Sequence, residues 1–122
     1  MAKILIAEDD SSMRQFLTMA LGKAGHQVTA CENGLEALAV LEDNTDHEIL
    51  LADIVMPGMD GIELSQRASD LCPQIKVMYI TGFAAVALGK RNQAVPKDNT
   101  RLLSKPFHLK ELVDQVDMLL AA

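Results

Sequence analysis

The chain of 122 residues alternates short, almost entirely apolar runs with longer segments whose apolar residues recur every three or four positions. A short apolar run is typical of a strand covered on both faces, and a three-to-four spacing is typical of one helix face. Strands are predicted at 4–7, 28–30, 48–52, 75–80 and 101–103. Because strands alternate with helices, the pattern predicts an α/β fold with a five-stranded parallel sheet and helices on both faces.

Short polar residues mark where the predicted helices begin. Asp10 or Ser11 is predicted to cap the first helix, because a side-chain oxygen there can accept a backbone N–H. Asn33 and Asp60 are predicted to cap the second and third in the same way. The predicted apolar faces comprise Met13, Phe16, Leu17, Ala20, Leu21 and Ala24; Leu35, Leu38 and Leu41; Leu64, Ala68 and Leu71; and Leu109, Leu112, Val113, Val116 and Leu119 or Leu120. Segment 83–100 has the weakest pattern and is expected to hold a short helix at 84–88.

Composition and charge exclude several classes of protein. Hydrophobic residues make up 49% and charged residues 23% of the chain, which is typical of a folded domain. The net charge of −6 disfavours general binding to nucleic acid or to an anionic membrane. No apolar run approaches the ~20 residues needed to span a bilayer, and no signal peptide is evident, so a cytoplasmic location is expected. Cys31 and Cys72 are interpreted as small buried residues, and the histidines as surface or capping residues: His26, His47 and His108.

Polar residues follow the apolar strands at the points where the strands end. Glu8 and Asp9 follow the first strand, and Asp53, Thr81 and Lys105 follow the third, fourth and fifth. In a parallel sheet these ends meet at one edge, where ligands bind. Three carboxylates brought together need a cation, and an oxygen-only cluster favours Mg²⁺. A hydroxyl and an ammonium beside them can bind phosphoryl oxygens, and the central carboxylate can act as the nucleophile that forms an aspartyl phosphate.

These motifs resemble those of the receiver domains of bacterial two-component response regulators, over the whole chain. The residues that carry the resemblance are Glu8-Asp9-Asp10, Asp53 with Met56-Pro57-Gly58-Met59-Asp60-Gly61, Thr81-Gly82 and Lys105-Pro106-Phe107. The resemblance implies a doubly wound, flavodoxin-like and CheY-like (βα)5 fold with strand order 2-1-3-4-5. It also implies that residues 1–122 form one receiver domain without an output domain.

The resemblance assigns roles to individual residues. Asp53 would be the phosphoacceptor, Thr81 and Lys105 would contact the phosphoryl group, and the Lys105–Pro106 peptide bond would be cis. Leu102 stands where receivers usually carry an aromatic switch residue, and so departs from the family pattern. The Mg²⁺ ligands would be Glu8, Asp9, Asp53 and the backbone carbonyl of Val55.

Phe83 and a basic stretch in an otherwise acidic chain indicate a partner surface, for which a solvated loop is the alternative. The residues of this candidate surface are Phe83, Lys90, Arg91 and Arg101. The terminal Ala121 and Ala122 resemble the end of a degradation tag, for which a plain helix tail is the alternative.

Segments 54–57, 80–88 and 104–109 resemble those of a subgroup of stand-alone alphaproteobacterial receivers. That subgroup controls substrate delivery to the ClpXP protease, and phosphorylation by a histidine kinase or histidine phosphotransferase turns delivery off. The expected function is therefore phosphorylation-dependent protein binding rather than catalysis. A phosphorelay shuttle is the alternative. A phosphatase with an Asp nucleophile is disfavoured, because such enzymes carry a second Asp at the position of Val55.

Overall fold

A computed structural model describes residues 2–82 and 100–121, and the following strands and helices belong to that part of the chain. The strands are β1 (Lys3–Ala7), β2 (Gln27–Cys31), β3 (Ile49–Asp53), β4 (Lys76–Thr81) and β5 (Thr100–Ser104). The helices are α1 (Ser11–Lys23), α2 (Gly34–Asp43), α3 (Gly61–Leu71) and α4 (Leu109–Ala121). The predicted strands are therefore found, and no bound differs from the prediction by more than one residue.

The strands form a single parallel sheet in the order β2-β1-β3-β4-β5, which confirms the predicted fold. In the register of the sheet, Asp53 on β3 lies beside Ile80 on β4, and Thr81 lies beside Ser104 on β5. Since all strands run in the same direction, their carboxyl ends meet at one edge of the sheet. The polar residues that follow the strands are brought together there.

Helices cover both faces of the sheet and bury separate apolar clusters. On one face, α1 and α4 contribute Leu17, Ala20, Leu21, Leu112, Val116 and Leu119 to a cluster with the strands. On the other face, α2 and α3 contribute Ala37, Leu41, Leu64 and Ala68. A smaller cluster between α3 and β4 comprises Ile54, Ile62, Val77 and Tyr79.

The three predicted N-caps are confirmed by their hydrogen bonds. Asp10 accepts from the backbone N–H of Ser12 at 3.0 Å. Asn33 accepts from Glu36 N–H and Asp60 accepts from Glu63 N–H, each at 2.8 Å. Each cap satisfies one of the N–H groups that a helix leaves unpaired at its start.

Four predicted core positions are wrong. Leu35, Leu71 and Leu109 are exposed, as is Ala24, which lies beyond the last residue of α1. Leu35 is 66% exposed, while Ala37 is buried in its place. Leu71 and Leu109 are terminal residues of their helices and Ala24 lies beyond one, so the helical spacing does not indicate burial against the sheet at these positions.

Only 5% of His47 is exposed, so the surface interpretation is wrong for this residue, whereas its contact with Asn44 at the end of α2 agrees with the capping alternative. Its Nδ1 lies 3.2 Å from the carbonyl oxygen of Asn44. Cys31 and Cys72 are free and buried, as predicted. The short helix expected at 84–88 lies outside the described residues. None of the helices described has the length and apolar character needed to cross a membrane.

Candidate functional site

Three carboxylates converge at the carboxyl edge of the sheet. One oxygen each from Glu8, Asp9 and Asp53 lies within 4.8 Å of the others. Glu8 is fully buried and Asp53 is nearly so, whereas Asp9 is exposed. The donor set contains only oxygen, and the carboxylates are close enough to share one ion, so the residues fit a hard divalent cation such as Mg²⁺.

Asp53 ends β3 and both of its carboxylate oxygens are engaged. Its Oδ1 accepts a hydrogen bond from the backbone N–H of Val55 at 3.1 Å, and its Oδ2 accepts one from Lys105 Nζ at 3.2 Å. The start of α3 lies against the backbone of Asp53, because a Cβ at Gly61 would stand 2.4 Å from the Asp53 carbonyl oxygen. Gly61 is thus the residue that permits this close approach.

Lys105 supplies a positive charge between two of the carboxylates. Its Nζ lies 3.2 Å from Asp53 Oδ2 and 3.4 Å from Glu8 Oε1. Partial burial opposes the charge, but the charges of Asp53 and then Glu8 outweigh it and raise the pKa of Lys105. The backbone N–H of Lys105 donates to the Thr81 carbonyl at 2.7 Å, and the Lys105–Pro106 peptide bond is cis.

The protonation of Glu8 is strongly perturbed by its surroundings. Burial, and secondarily the neighbouring Asp53 carboxyl, raises its pKa from 4.5 to about 7. The backbone N–H of Asp10, which donates to Glu8 Oε2 at 3.1 Å, and the charge of Lys105 act in the opposite direction. The Oε1 atom is buried and accepts no hydrogen bond from the described residues. A divalent cation at this edge could bind that oxygen directly, in addition to its ion pair with Lys105 at 3.4 Å.

Thr81 presents a buried hydroxyl at the end of β4. The residue is fully buried, and among the residues described its Oγ1 has no hydrogen-bond partner. Buried hydroxyls are rarely left without a partner, since the loss of hydration is costly. This hydroxyl can therefore donate to an oxygen that arrives at the edge of the sheet.

The structure brings most of the predicted site residues together but separates others. Glu8, Asp9, Asp53 and Lys105 lie close to one another, and Thr81 lies on the strand beside β3. Val55 is 64% exposed. Three other predicted residues lie outside this group. Arg101 and Leu102 are on β5, where Arg101 is half-buried and Leu102 is 45% exposed. Ala121 is the last residue of α4. Phe83, Lys90, Arg91 and Ala122 lie outside the described residues.

Two contacts at this edge were not predicted from the sequence. The guanidinium of Arg14 donates to the Glu8 carbonyl at 2.8 Å. This hydrogen bond joins the first turn of α1 to the loop that carries Glu8 and Asp9. The close approach of Gly61 to Asp53 is the second, since the sequence pattern marks Gly61 only as a turn residue. The sequence does contain one signal for this contact. Gly61 directly follows the cap Asp60, and the first residue of α3 faces the loop that leaves β3.

The parallel fold, with Glu8, Asp9 and Asp53 at the carboxyl edge of the sheet, defines the class of protein. Residues 4–117 match the response regulator receiver domain family, and the chain belongs to that family.

The chain is 52% identical to the response regulator receiver protein CpdR of Brucella abortus, over all of this chain and 99% of that protein. It is 33% identical to the sensor kinase CckA of the same organism, over 98% of this chain but only 12% of the kinase. The crystal structure of a response regulator receiver protein from Sinorhizobium medicae superposes with a TM-score of 0.88 at 29% identity, over 99% of this chain and 95% of that one.

Proposed function

We propose that the protein is a response regulator that accepts a phosphoryl group on Asp53 and thereby changes which proteins it binds. The observation that carries the proposal is the convergence of three carboxylate oxygens within 4.8 Å, with a lysine ammonium 3.2 Å from Asp53. Membership of the receiver family supports the same conclusion.

Glu8, Asp9 and Asp53 would hold Mg²⁺, with the backbone carbonyl of Val55 as a further ligand. When bound, the metal would supply positive charge that offsets the negative charge of the phosphoryl group and its donor. The oxygen-only donor set and the buried Glu8 Oε1, which lacks a hydrogen bond from the described residues, support this assignment.

Phosphoryl transfer needs a nucleophile and two groups that bind the transferred oxygens. A carboxylate oxygen of Asp53 attacks the phosphorus of a phosphohistidine. The new oxygen–phosphorus bond forms as the nitrogen–phosphorus bond breaks, and the imidazole leaves with the electron pair. Lys105 is already at Asp53, and its ammonium would pair with a phosphoryl oxygen. The hydroxyl of Thr81, which has no hydrogen-bond partner among the described residues, would donate to another.

We further propose that the output is control of ClpXP-dependent proteolysis, with the unphosphorylated form active. The resemblance to stand-alone protease-regulating receivers and the full-length similarity to CpdR support this output. The phosphoryl donor would be a histidine kinase or histidine phosphotransferase. The protein would act in the cytoplasm as a single receiver domain and not as an enzyme of exogenous substrates.

A phosphorelay shuttle is the second candidate, because the sensor kinase CckA contains a segment similar to this chain. A shuttle would return its phosphoryl group to a histidine phosphotransferase. A protease regulator would instead bind the ClpX unfoldase in only one phosphorylation state.

Labelling by acetyl phosphate tests the phosphoacceptor directly. The native protein should incorporate one phosphoryl group, EDTA should abolish incorporation, and Asp53→Ala should incorporate none. Asp114→Ala is a matched control, because Asp114 lies on α4, where it pairs with Lys110, and its carboxylate lies outside the acidic group. Normal labelling of Asp53→Ala at another residue would exclude the proposal.

Capture on immobilised ClpX, with untreated and BeF₃⁻-treated protein, tests the output. Retention of the untreated form alone supports protease control. Equal retention of both forms, or of neither, contradicts it.

A further inference from the structure

A pair of buried hydroxyl groups joins β4 to α3. The Tyr79 hydroxyl lies within hydrogen-bond distance of Ser65 Oγ, and the two residues are 0% and 2% exposed. Ser65 also donates to the carbonyl of Ile62 at 2.8 Å. A serine hydroxyl has a single proton, which Ile62 receives, so Tyr79 must be the donor to Ser65. The hydrogen bonds therefore run from Tyr79 through Ser65 to the first turn of α3.

The same turn of α3 lies against the backbone that carries Asp53. The backbone N–H of Gly61 donates to the carbonyl of Ile54 at 2.9 Å. A Cβ at Gly61 would stand 2.4 Å from the Asp53 carbonyl oxygen, so the helix start and the strand end are in direct contact. Close-packed interiors transmit small displacements. Any shift of the start of α3 would therefore move the end of β3.

Residues 54–60 form the loop between the end of β3 and the start of α3. The beginning of this loop is hydrogen-bonded to the Asp53 side chain. The N–H of Val55 donates to Asp53 Oδ1 at 3.1 Å, so the loop and the carboxylate move together. The other end of the loop is fixed at Gly61, the first residue of α3. The position of α3 therefore determines the path of the loop.

We propose that Tyr79 and Ser65 are positioning residues for the metal site, which hold the start of α3 and thereby the Asp53 carboxylate and the Val55 carbonyl. The inference rests on the proposed function, in which those two groups bind Mg²⁺. Groups that orient metal ligands without touching the metal commonly change metal affinity by about 10- to 100-fold when removed.

The proposed positioning role belongs to the hydroxyl of Tyr79 and not to its ring. The ring packs in the small apolar cluster with Ile54, Ile62 and Val77, and a phenylalanine would fill the same space. Burial raises the pKa of Tyr79, so its hydroxyl keeps the proton that it donates. Tyr79→Phe consequently removes the hydrogen bond and leaves the packing.

Two variants and their combination test the proposal. Tyr79→Phe and Ser65→Ala should each raise the Mg²⁺ dissociation constant by about tenfold, measured by calorimetry where every variant is folded. The double variant should lose little more than either single variant, because both remove the same hydrogen bond. Without metal, the backbone amides of Val55 and Gly61 should exchange with deuterium faster in each variant.

Val116→Ala provides the matched control for lost stability. Val116 is fully buried in α4, in the cluster on the opposite face of the sheet. The control should lower the melting temperature while leaving the Mg²⁺ dissociation constant and the exchange of the loop amides unchanged.

Unchanged Mg²⁺ affinity in both Tyr79→Phe and Ser65→Ala would overturn the inference, as would an equal loss of affinity in Val116→Ala. If native protein binds Mg²⁺ and is labelled on Asp53, such results would leave the proposed function intact. A native protein that binds no Mg²⁺ would overturn both proposals.

Discussion

The ammonium of Lys105 lies 3.2 Å from Asp53 Oδ2, across 52 residues of sequence. It also lies 3.4 Å from Glu8 Oε1, so one lysine neutralises part of the charge of two carboxylates. Lys105 therefore serves as an internal cation, and its charge opposes the binding of an external one.

Lys105→Met should tighten Mg²⁺ binding. Removal of the ammonium leaves Glu8 and Asp53 without their positive neighbour, and the metal then meets less electrostatic opposition. We expect a dissociation constant lowered by about tenfold, which corresponds to ~1.4 kcal/mol. Titration calorimetry at fixed ionic strength measures this change. Lys110→Met, which removes an exposed lysine paired with Asp114, should leave the dissociation constant unchanged. Weaker Mg²⁺ binding by Lys105→Met would contradict the internal-cation assignment.

Mg²⁺ should raise the melting temperature of the protein. A ligand that binds only the folded state adds about 2.7 kcal/mol to the free energy of unfolding at 100 times its dissociation constant. Asp53→Asn should melt higher than the native protein without metal, because it removes one of three repelling charges, and should respond less to Mg²⁺. Differential scanning calorimetry compares the two. Identical melting curves with and without Mg²⁺ would mean that the three carboxylates do not share a metal.

The stability of the metal-free protein should depend on pH through Glu8. Burial, and secondarily Asp53, raises the pKa of Glu8 from 4.5 to about 7. Between these values the folded protein holds a proton that the unfolded chain has released. The contribution of Glu8 to the free energy of unfolding is thus complete below pH 4.5 and is lost as the pH rises to about 7.

Glu8→Gln isolates this contribution, because it keeps the size of the side chain and removes its titration. Denaturant unfolding of both proteins from pH 4.5 to 7 should show native stability falling relative to the variant as the pH rises. A constant difference across that range would mean that Glu8 titrates normally.

Thr81→Val should stabilise the unphosphorylated protein and block its response. The buried hydroxyl has no partner among the described residues, so its replacement by a methyl group should add about 1 kcal/mol to the free energy of unfolding. Asp53 should still be labelled by acetyl phosphate. NMR shifts caused by BeF₃⁻ should reach Leu102 in the native protein but not in the variant. Equal shifts in both proteins would show that the hydroxyl does not transmit the change.

The fold class and the residues that meet at the carboxyl edge of the sheet can be inferred from the sequence alone. Apolar runs that alternate with helical spacing allow few arrangements other than a parallel sheet, and a parallel sheet gathers its strand ends at one edge. Glu8, Asp53 and Lys105 could be assigned to the same site for that reason. The caps Asp10, Asn33 and Asp60 were also predictable, because capping depends on neighbours within three residues.

The way in which these residues affect one another depends on tertiary contacts that the sequence pattern does not reveal. The raised pKa of Glu8 depends on burial by distant segments, and the place of Lys105 depends on the packing of β5 beside β4. The exposure of Leu35, the burial of His47 and the bond between Tyr79 and Ser65 likewise depend on which segments pack together. Periodicity identifies the apolar face of a helix, but the elements that cover it determine which residues are buried. Contacts between distant segments also determine which buried polar groups find a partner.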